Sequence, residues 1–264
     1  MPELVDVGGV PLRVCVRGRG RPLLLCNGIG ASLELLDPLR LALPSVETIA
    51  VDMPGSGGSP ATLLPRTFGG LAGLVAALLD RLGYDRVDVL GVSWGGALAQ
   101  ELALRHPERV RKVVLAATSP GWPSVPGRPS ALRALATPRR YYSPGYFLRV
   151  APALYGGAVR DQPNLLAEQG HARFLHPPSV RGYLWQVAAA LSWSSVFRLP
   201  WLSRPTLVLA ADDDPIVPLA NARLIARLVP DARLRVVERG GHLFLVTHAA
   251  QVAPWIDEFL AEGA

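Results

Sequence analysis

Cysteine is nearly absent. Cys15 and Cys26 are the only two in 264 residues, which gives neither a disulfide framework nor the spacing of a metal site. Lysine is scarcer still. Lys112 stands alone, so arginine supplies almost all of the positive charge behind the formal balance of +6. Those arginines are scattered, with only short clusters such as Arg17-Gly18-Arg19-Gly20-Arg21 and Arg139-Arg140. Without an aromatic-interleaved basic motif, a nucleic-acid partner is not expected, whereas contact with an anionic surface stays open. No apolar run reaches the roughly 18–20 residues that cross a bilayer, so no membrane span is expected. Met1 to Val10 holds no basic stretch leading into an apolar one. A secretory signal is therefore not expected, and a cytoplasmic chain with reduced thiols is the default. Internal repeats and low-complexity tracts are also missing.

Half of the residues are apolar and 18% are charged, the balance of a globular chain with a full core. Residues 3–16 alternate apolar and polar positions around Gly8-Gly9, as in a β-hairpin. Short, wholly apolar runs such as Leu23 to Cys26 read as strands buried on both faces. Further strands are expected at Val46–Val51, Val87–Leu90, Lys112–Ala116, Thr206–Ala210 and Leu234–Val237. They alternate with helical runs at Leu71–Leu82, Ala97–Arg105, Leu219–Leu228 and Ala249–Leu260. That βαβ alternation predicts an α/β fold with a mostly parallel central sheet and helices on both faces. Between Ser119 and Pro200 the pattern changes. The segment is punctuated by proline, lacks a long β-like run and holds eleven of the eighteen aromatic residues. It reads as a helical cap (119–200) inserted into a core formed by 1–118 and 201–264. Its aromatics are divided between a small core of their own and an apolar pocket or outer face.

Three loops carry the candidate chemistry. Gly91-Val92-Ser93-Trp94-Gly95-Gly96 lies between a strand and a helix, where G-x-S-x-G forms the nucleophile elbow of α/β-hydrolases. A serine forced into so sharp a turn leaves no room for Cβ groups two residues to either side. The helix behind it aims free N–H groups and a positive dipole end at a developing oxyanion. Asn27-Gly28-Ile29-Gly30 follows the first buried strand. It lacks the third glycine of a dinucleotide fingerprint, and in an α/β-hydrolase this loop provides the second oxyanion donor. Asn27 occupies the position where a histidine usually precedes the glycine. Asp52-Met53-Pro54-Gly55-Ser56-Gly57-Gly58-Ser59 is a turn without the Lys-Ser/Thr pair of a phosphate loop.

Serine needs a base within hydrogen-bond reach, oriented in turn by a third group. The order serine, acid, histidine is that of α/β-hydrolases. His242, after the last strand and Gly240-Gly241, is the preferred base over His248. His106 and His171 read as solvated or structural. The acid comes from Asp212-Asp213-Asp214. Because side chains alternate along an extended loop, at most one of the three faces the imidazole. Asp214, ahead of Pro215-Ile216-Val217-Pro218, is preferred over Asp212. Backbone N–H groups of Ile29 and Trp94 are the expected oxyanion donors, and Asn27, Trp122 and Trp185 are candidate substrate contacts. This chemistry requires no metal and no organic cofactor.

Several segments together have a more specific likeness: Gly-Val-Ser-Trp-Gly-Gly-Ala-Leu-Ala-Gln (91–100), Leu-Ala-Ala-Thr-Ser-Pro-Gly (115–121), Pro-Arg-Arg-Tyr (138–141), Tyr-Gly-Gly-Ala (155–158), Thr-Leu-Val-Leu-Ala (206–210) with Asp-Asp-Asp-Pro (212–215), and Gly-His-Leu-Phe-Leu-Val-Thr (241–247). Over nearly its whole length the chain resembles intracellular poly(3-hydroxyalkanoate) depolymerases, of the type that acts on medium-chain-length polymer. The resemblance implies that Ser93, Asp214 and His242 form the triad. It also implies a storage-polyester substrate and a cytoplasmic place of work at the granule surface, with the oligomeric state left open. Alternatives that keep the fold and triad are a small-molecule carboxylesterase, a lipase or a cofactor-free perhydrolase. A non-catalytic granule-binding protein would have no need of all three triad residues. Polyester synthases carry cysteine and haloalkane dehalogenases aspartate at the elbow, where this chain has Ser93.

Overall fold

The structure is a computed structural model and describes residues 1–162, 170 and 173–263. Eight strands form one sheet in the order β1-β2-β4-β3-β5-β6-β7-β8. β1 (Glu3–Val7) and β2 (Val10–Arg17) make the expected hairpin over Gly8-Gly9, and β2 also runs antiparallel to β4 (Val46–Val51). From β4 onward, β3 (Arg21–Cys26), β5 (Val87–Val92), β6 (Val110–Ala116), β7 (Thr206–Ala211) and β8 (Ala232–Val237) are all parallel.

The apolar runs form central strands because both faces are covered. Leu24, Cys26, Val87, Val89, Val113 and Leu115 pack toward α1 (Phe68–Leu82), α2 (Trp94–Arg105) and α6 (Leu219–Leu228). Their neighbours Leu23, Leu25, Leu90, Val92, Val114 and Ala116 face α7 (Ala249–Ala261) and the Leu33–Leu43 region. Alternation with period two thus divides one continuous apolar run between two cores.

Two helices begin earlier than the sequence pattern indicates, and glycine is the reason in both. α1 starts at Phe68, with the Thr67 hydroxyl accepting the Gly70 N–H at 3.2 Å, although Gly69-Gly70 weakens the helical signal. α2 starts at Trp94 rather than Ala97, because Gly95 and Gly96 serve close packing. A Cβ at Gly95 would overlap the Cys26 carbonyl of β3, and one at Gly96 would strike the Thr118 side chain. A local cap overrides propensity at the first start and tertiary packing at the second.

Between β6 and β7 the described residues form helices and turns, chiefly α3 (Pro129–Leu135), α4 (Pro144–Tyr155) and α5 (Val180–Leu191). An antiparallel bridge between Gly121 and Ser194 ties the two ends of this segment together. Its own core joins Ala131, Phe147, Ala151, Leu154 and Tyr155 to Ile216 and Leu243 of the sheet's C-terminal loops. Tyr141, Phe147, Tyr155 and Tyr183 are buried, whereas Trp122 and Phe197 are largely exposed. The aromatics are therefore divided between core and surface, as the sequence suggests. Among the described residues no helix is long and apolar enough to cross a membrane.

The end of this segment is anchored to α2 through one buried carboxylate. Glu101 accepts from both Arg198 terminal nitrogens, at 3.1 and 2.7 Å, and from Trp193 Nε1 at 2.8 Å, and it pairs with Arg105. Burial by itself raises the Glu101 carboxyl, but Arg198, Arg105 and Trp193 outweigh it and hold the group down at about 2. A depressed carboxyl contributes stability that is complete above the ordinary value of 4.5 and is lost as pH falls toward about 2. Thermal melts from pH 6 down to about pH 2 should therefore show a loss of Tm that is shallower in Glu101→Gln, whose amide does not titrate. Parallel profiles in the two proteins would contradict this anchor.

Candidate active site

Ser93 sits at the junction of β5 and α2 with φ 55° and ψ −118°, a backbone region that a residue with a Cβ occupies only under constraint. The constraint is visible on every side. Ser93 N–H donates to the Ala116 carbonyl at 2.9 Å, and its own carbonyl accepts the Gly96 N–H at 2.9 Å and the Thr118 hydroxyl at 2.8 Å. Gly91 and Gly95 face each other across the turn, so a Cβ on Gly91 would collide with the Gly95 backbone. The spacing of the motif is thus steric in origin. Its outcome is a half-buried Ser93 whose side chain projects from the sheet into a cavity.

The Asn27–Gly30 loop lies against this turn, and the Asn27 side chain is used up in shaping it. Its amide NH₂ donates to the Ser32 carbonyl at 2.7 Å, and its oxygen accepts the Gly28 N–H at 2.8 Å. Asn27 borders the cavity but acts first as the loop's internal brace. Three residues of the segment between β6 and β7 hold the next peptide. Tyr141 hydroxyl donates to the Ile29 carbonyl at 2.7 Å, Arg140 Nη2 reaches the same oxygen at 3.4 Å, and Gln186 Oε1 accepts the Gly30 N–H at 2.8 Å. Gln186 also donates to the Ser56 hydroxyl at 2.8 Å, and its carbonyl accepts Trp94 Nε1 at 2.9 Å. Gln186 of α5 thereby links the three loops, two through its side chain and the third through its backbone carbonyl. Among the described residues, no protein acceptor takes the backbone N–H of Ile29 or of Trp94. Two backbone donors near Ser93 are thus unpaired within the described residues, and holding an oxyanion requires such donors. The Pro-Arg-Arg-Tyr stretch was the one sequence signal for part of this arrangement, and nothing local marks Gln186.

The three adjacent aspartates have three different environments. Asp212 is exposed. Asp213 accepts the Gly157 N–H at 3.0 Å and Arg160 at 2.6 Å. Burial tends to raise its carboxyl, yet Gly157 and the Arg160 and Arg128 guanidinium groups hold it below the usual range. Asp214 is only 8% exposed and points inward. Its Oδ1 accepts the N–H groups of Ile216 and Val217 at 2.8 and 3.0 Å, and its Oδ2 lies 2.7 Å from His242 Nδ1. An ionised carboxylate can only accept, so the imidazole proton sits on Nδ1 and leaves the Nε2 lone pair free. His242 is itself fixed by its backbone N–H, which donates to the Tyr155 carbonyl at 2.7 Å. That contact requires the glycines of Tyr155-Gly156-Gly157, because a Cβ at Gly157 would run into the Gly240-Gly241 backbone. His248 bonds to Thr247 instead, His106 lies 3.7 Å from Glu108, and His171 is outside the described residues.

Ser93 borders two cavities. One, an open pocket of about 520 Å³ including the solvent space at its mouth, also touches His242, Ile29, Tyr155 and two arginines, Arg140 and Arg173. The other is a larger, open and mostly apolar cleft of about 1530 Å³, bordered by Trp122, Leu132, Leu191 and Trp193 but not by His242. Ile29, Leu135 and Ile216 are common to both. Trp122, 78% exposed, stands at the open cleft. Trp185 does not reach either cavity. It lies in a separate depression near Met53 and Arg66, with Nε1 3.4 Å from the Thr62 carbonyl, because its helix turns Gln186 and Tyr183 inward instead. A substrate contact at Trp185 is thus displaced from the place where the sequence suggested one.

The Asp214–His242 pair is checked by proton NMR at low temperature. A downfield, exchange-protected His242 Nδ1 proton is expected in the wild type and in Asp213→Asn. It should be lost in Asp214→Asn. A signal that follows Asp213 would mean that the wrong aspartate has been assigned.

The pattern of the α/β hydrolase fold family matches residues 21–167 and 174–249. A poly(3-hydroxyalkanoate) depolymerase of Ectopseudomonas oleovorans is 50% identical over 262 residues, which is 98% of this chain and 92% of that protein. A 2-hydroxymuconate semialdehyde hydrolase of Pseudomonas sp. (strain CF600) is 30% identical over 281 residues, covering 99% of this chain and 95% of that one. Among solved structures, an enol-lactonase from Burkholderia xenovorans LB400 superposes with a TM-score of 0.84 at 24% identity, over 98% of this chain and all of the other (100%). That last likeness bears on the fold alone. With a parallel sheet, a serine in a strand-to-helix turn and a family match over most of its length, the chain belongs to the α/β-hydrolase fold family.

Proposed function

We propose that this chain is a serine hydrolase that cleaves the ester bonds of poly(3-hydroxyalkanoate), of the medium-chain-length kind. One observation carries the reading. Half identity to a depolymerase extends over nearly the whole length of both proteins, the segment between β6 and β7 included, and that segment borders the cavities at Ser93. We take residues 119–200 as a cap on the core formed by 1–118 and 201–264.

In this reading His242 Nε2 accepts the Ser93 hydroxyl proton as Oγ adds to the ester carbonyl. The negative oxygen turns toward the N–H groups of Ile29 and Trp94. Asp214 keeps the proton on Nδ1 and stabilises the imidazolium without taking the proton itself. Collapse breaks the ester C–O bond, and the imidazolium protonates the departing 3-hydroxyl oxygen. Water, deprotonated by the same Nε2, then releases the acyl chain. The apolar cleft at Trp122 and Leu132 is suited to alkyl side chains. The cytoplasm, at the surface of polyester granules, is where such a substrate would be met.

The test compares wild type with Ser93→Ala on amorphous medium-chain polyhydroxyalkanoate granules and on soluble p-nitrophenyl esters. Wild type should release 3-hydroxy acids or oligomers, and the variant should lose roughly 10⁶ in kcat. Cleavage of soluble esters alone would overturn the polymer claim and favour a small-molecule esterase. Equal activity of the two proteins would remove Ser93 from the chemistry.

A further inference from the structure

The smaller cavity at Ser93 contains positive charge that the ester chemistry does not use. Arg140 and Arg173 both border it and are 1% and 4% exposed. Among the described residues, neither has a carboxylate within ion-pairing distance. Arg140 donates to the Tyr183 hydroxyl at 2.6 Å and to the carbonyls of Thr137 and Ile29, and its Nε has no partner. Arg173 is more exceptional. Among the described residues, its buried Nε and Nη2 have no hydrogen-bond partner. Its guanidinium is held in place by the rings of Tyr141, Phe147 and Tyr155, with centroids 4.9, 5.0 and 5.3 Å away. Three rings surround the fork, and among the described residues two of its nitrogens are left without an acceptor. Two buried cations with unmet donors are costly unless an anion completes them, and a planar guanidinium edge is matched in shape to a carboxylate.

The oxyanion of the reaction does not meet this demand, because Ile29 and Trp94 face it. One other anionic group belongs to the substrate class, namely the free carboxylate at the acid end of the polyester. This rests on the depolymerase reading above. In the terminal unit that carboxylate carbon is three bonds from the ester oxygen, on the alcohol side of the last ester. His242, which must protonate the departing alcohol oxygen, borders the arginine-bearing cavity and not the open cleft. Both facts place the same unit in the same cavity.

We propose that Arg173, assisted by Arg140, binds the carboxylate of the terminal 3-hydroxyalkanoate unit in the smaller cavity, while the rest of the chain lies in the apolar cleft. Cleavage then proceeds from the carboxyl end. The bond between Ser93 Oγ and the penultimate acyl carbon forms, and the last ester C–O bond breaks. The departing oxygen takes its proton from His242, and one 3-hydroxyalkanoate monomer leaves with its carboxylate. Deacylation by water gives the shortened chain a new carboxylate, which is the recognition element for the next cycle.

Arg140 also braces the Ile29 peptide, so the test uses Arg173. Soluble 3-hydroxyoctanoate trimers are compared as the free acid and as the terminal methyl ester, on wild type, Arg173→Gln and Arg173→Lys. Each enzyme is scored by its own ratio of kcat/KM, which a loss of folded protein does not change. Wild type should prefer the free acid by roughly 10- to 100-fold, the range for hydrogen bonds to a charged group, and release monomer first. Arg173→Gln should bring the ratio near one, and Arg173→Lys should keep part of it. Equal use of both trimers by wild type, or an unchanged ratio in Arg173→Gln, would overturn the carboxylate site and leave the depolymerase reading standing. If wild type cuts p-nitrophenyl esters but neither trimer, the depolymerase reading fails and this inference falls with it.

Discussion

The architecture depends on one strained residue. Ser93 keeps φ at 55° because β5 ends and α2 begins within a single peptide, and the surrounding packing permits no relaxed alternative. The Ala116 carbonyl, the Thr118 hydroxyl and the Gly96 N–H hold its backbone, while Gly91 and Gly95 let β3 and α2 come within van der Waals contact of the turn. A conformation of this kind costs on the order of 1–3 kcal/mol, and the two-faced core of the sheet compensates for it elsewhere. The functional gain is directional. The Ser93 side chain borders the cavity, and among the described residues the first N–H of α2 has no protein acceptor.

The remainder of the site is assembled on that turn from distant parts of the chain. Asp214 and His242 come from the loops after β7 and β8, and both loops dock on the inserted segment through Tyr155 and Gly157. The Asn27–Gly30 loop after β3 is braced from inside by Asn27 and from the other side by Tyr141 and Gln186. Disturbing the segment between β6 and β7 would therefore alter the positions of His242 and Ile29 even though it supplies neither. The positions of His242 and Ile29 thus depend on contacts that this segment makes.

What could be read from sequence divides along physical lines. The central strands were legible because burial on both faces produces unbroken apolar runs, and Val46–Val51 and Leu219–Leu228 agree with the observed bounds. The starts of α1 and α2 were not, because Gly69-Gly70 and Gly95-Gly96 oppose helix by propensity, while the Thr67 cap sets the first start and close packing at Gly95-Gly96 the second. Ser93 and His242 were legible through motif and chain order. Asp214 was preferred in the sequence through the Pro215-Ile216-Val217-Pro218 stretch behind it, and its contacts with Ile216, Val217 and His242 set it apart from its two neighbours in the structure. Gln186, Thr118 and Arg173 left no local signal at all, because their roles depend on what the fold brings beside them. Trp185 was misplaced for the reciprocal reason, since one residue's shift around a helix exchanges the inward face for the outward one.

The central claim is that Ser93 is the nucleophile of an acyl-enzyme. It is tested most directly by labelling the folded protein with a fluorophosphonate ester and locating the adduct by peptide mass spectrometry. The account predicts one adduct, on the peptide that carries Ser93, which is suppressed by a 3-hydroxyalkanoate oligomer and absent in His242→Ala at the same exposure. Labelling at another serine, or none with an active preparation, would contradict it.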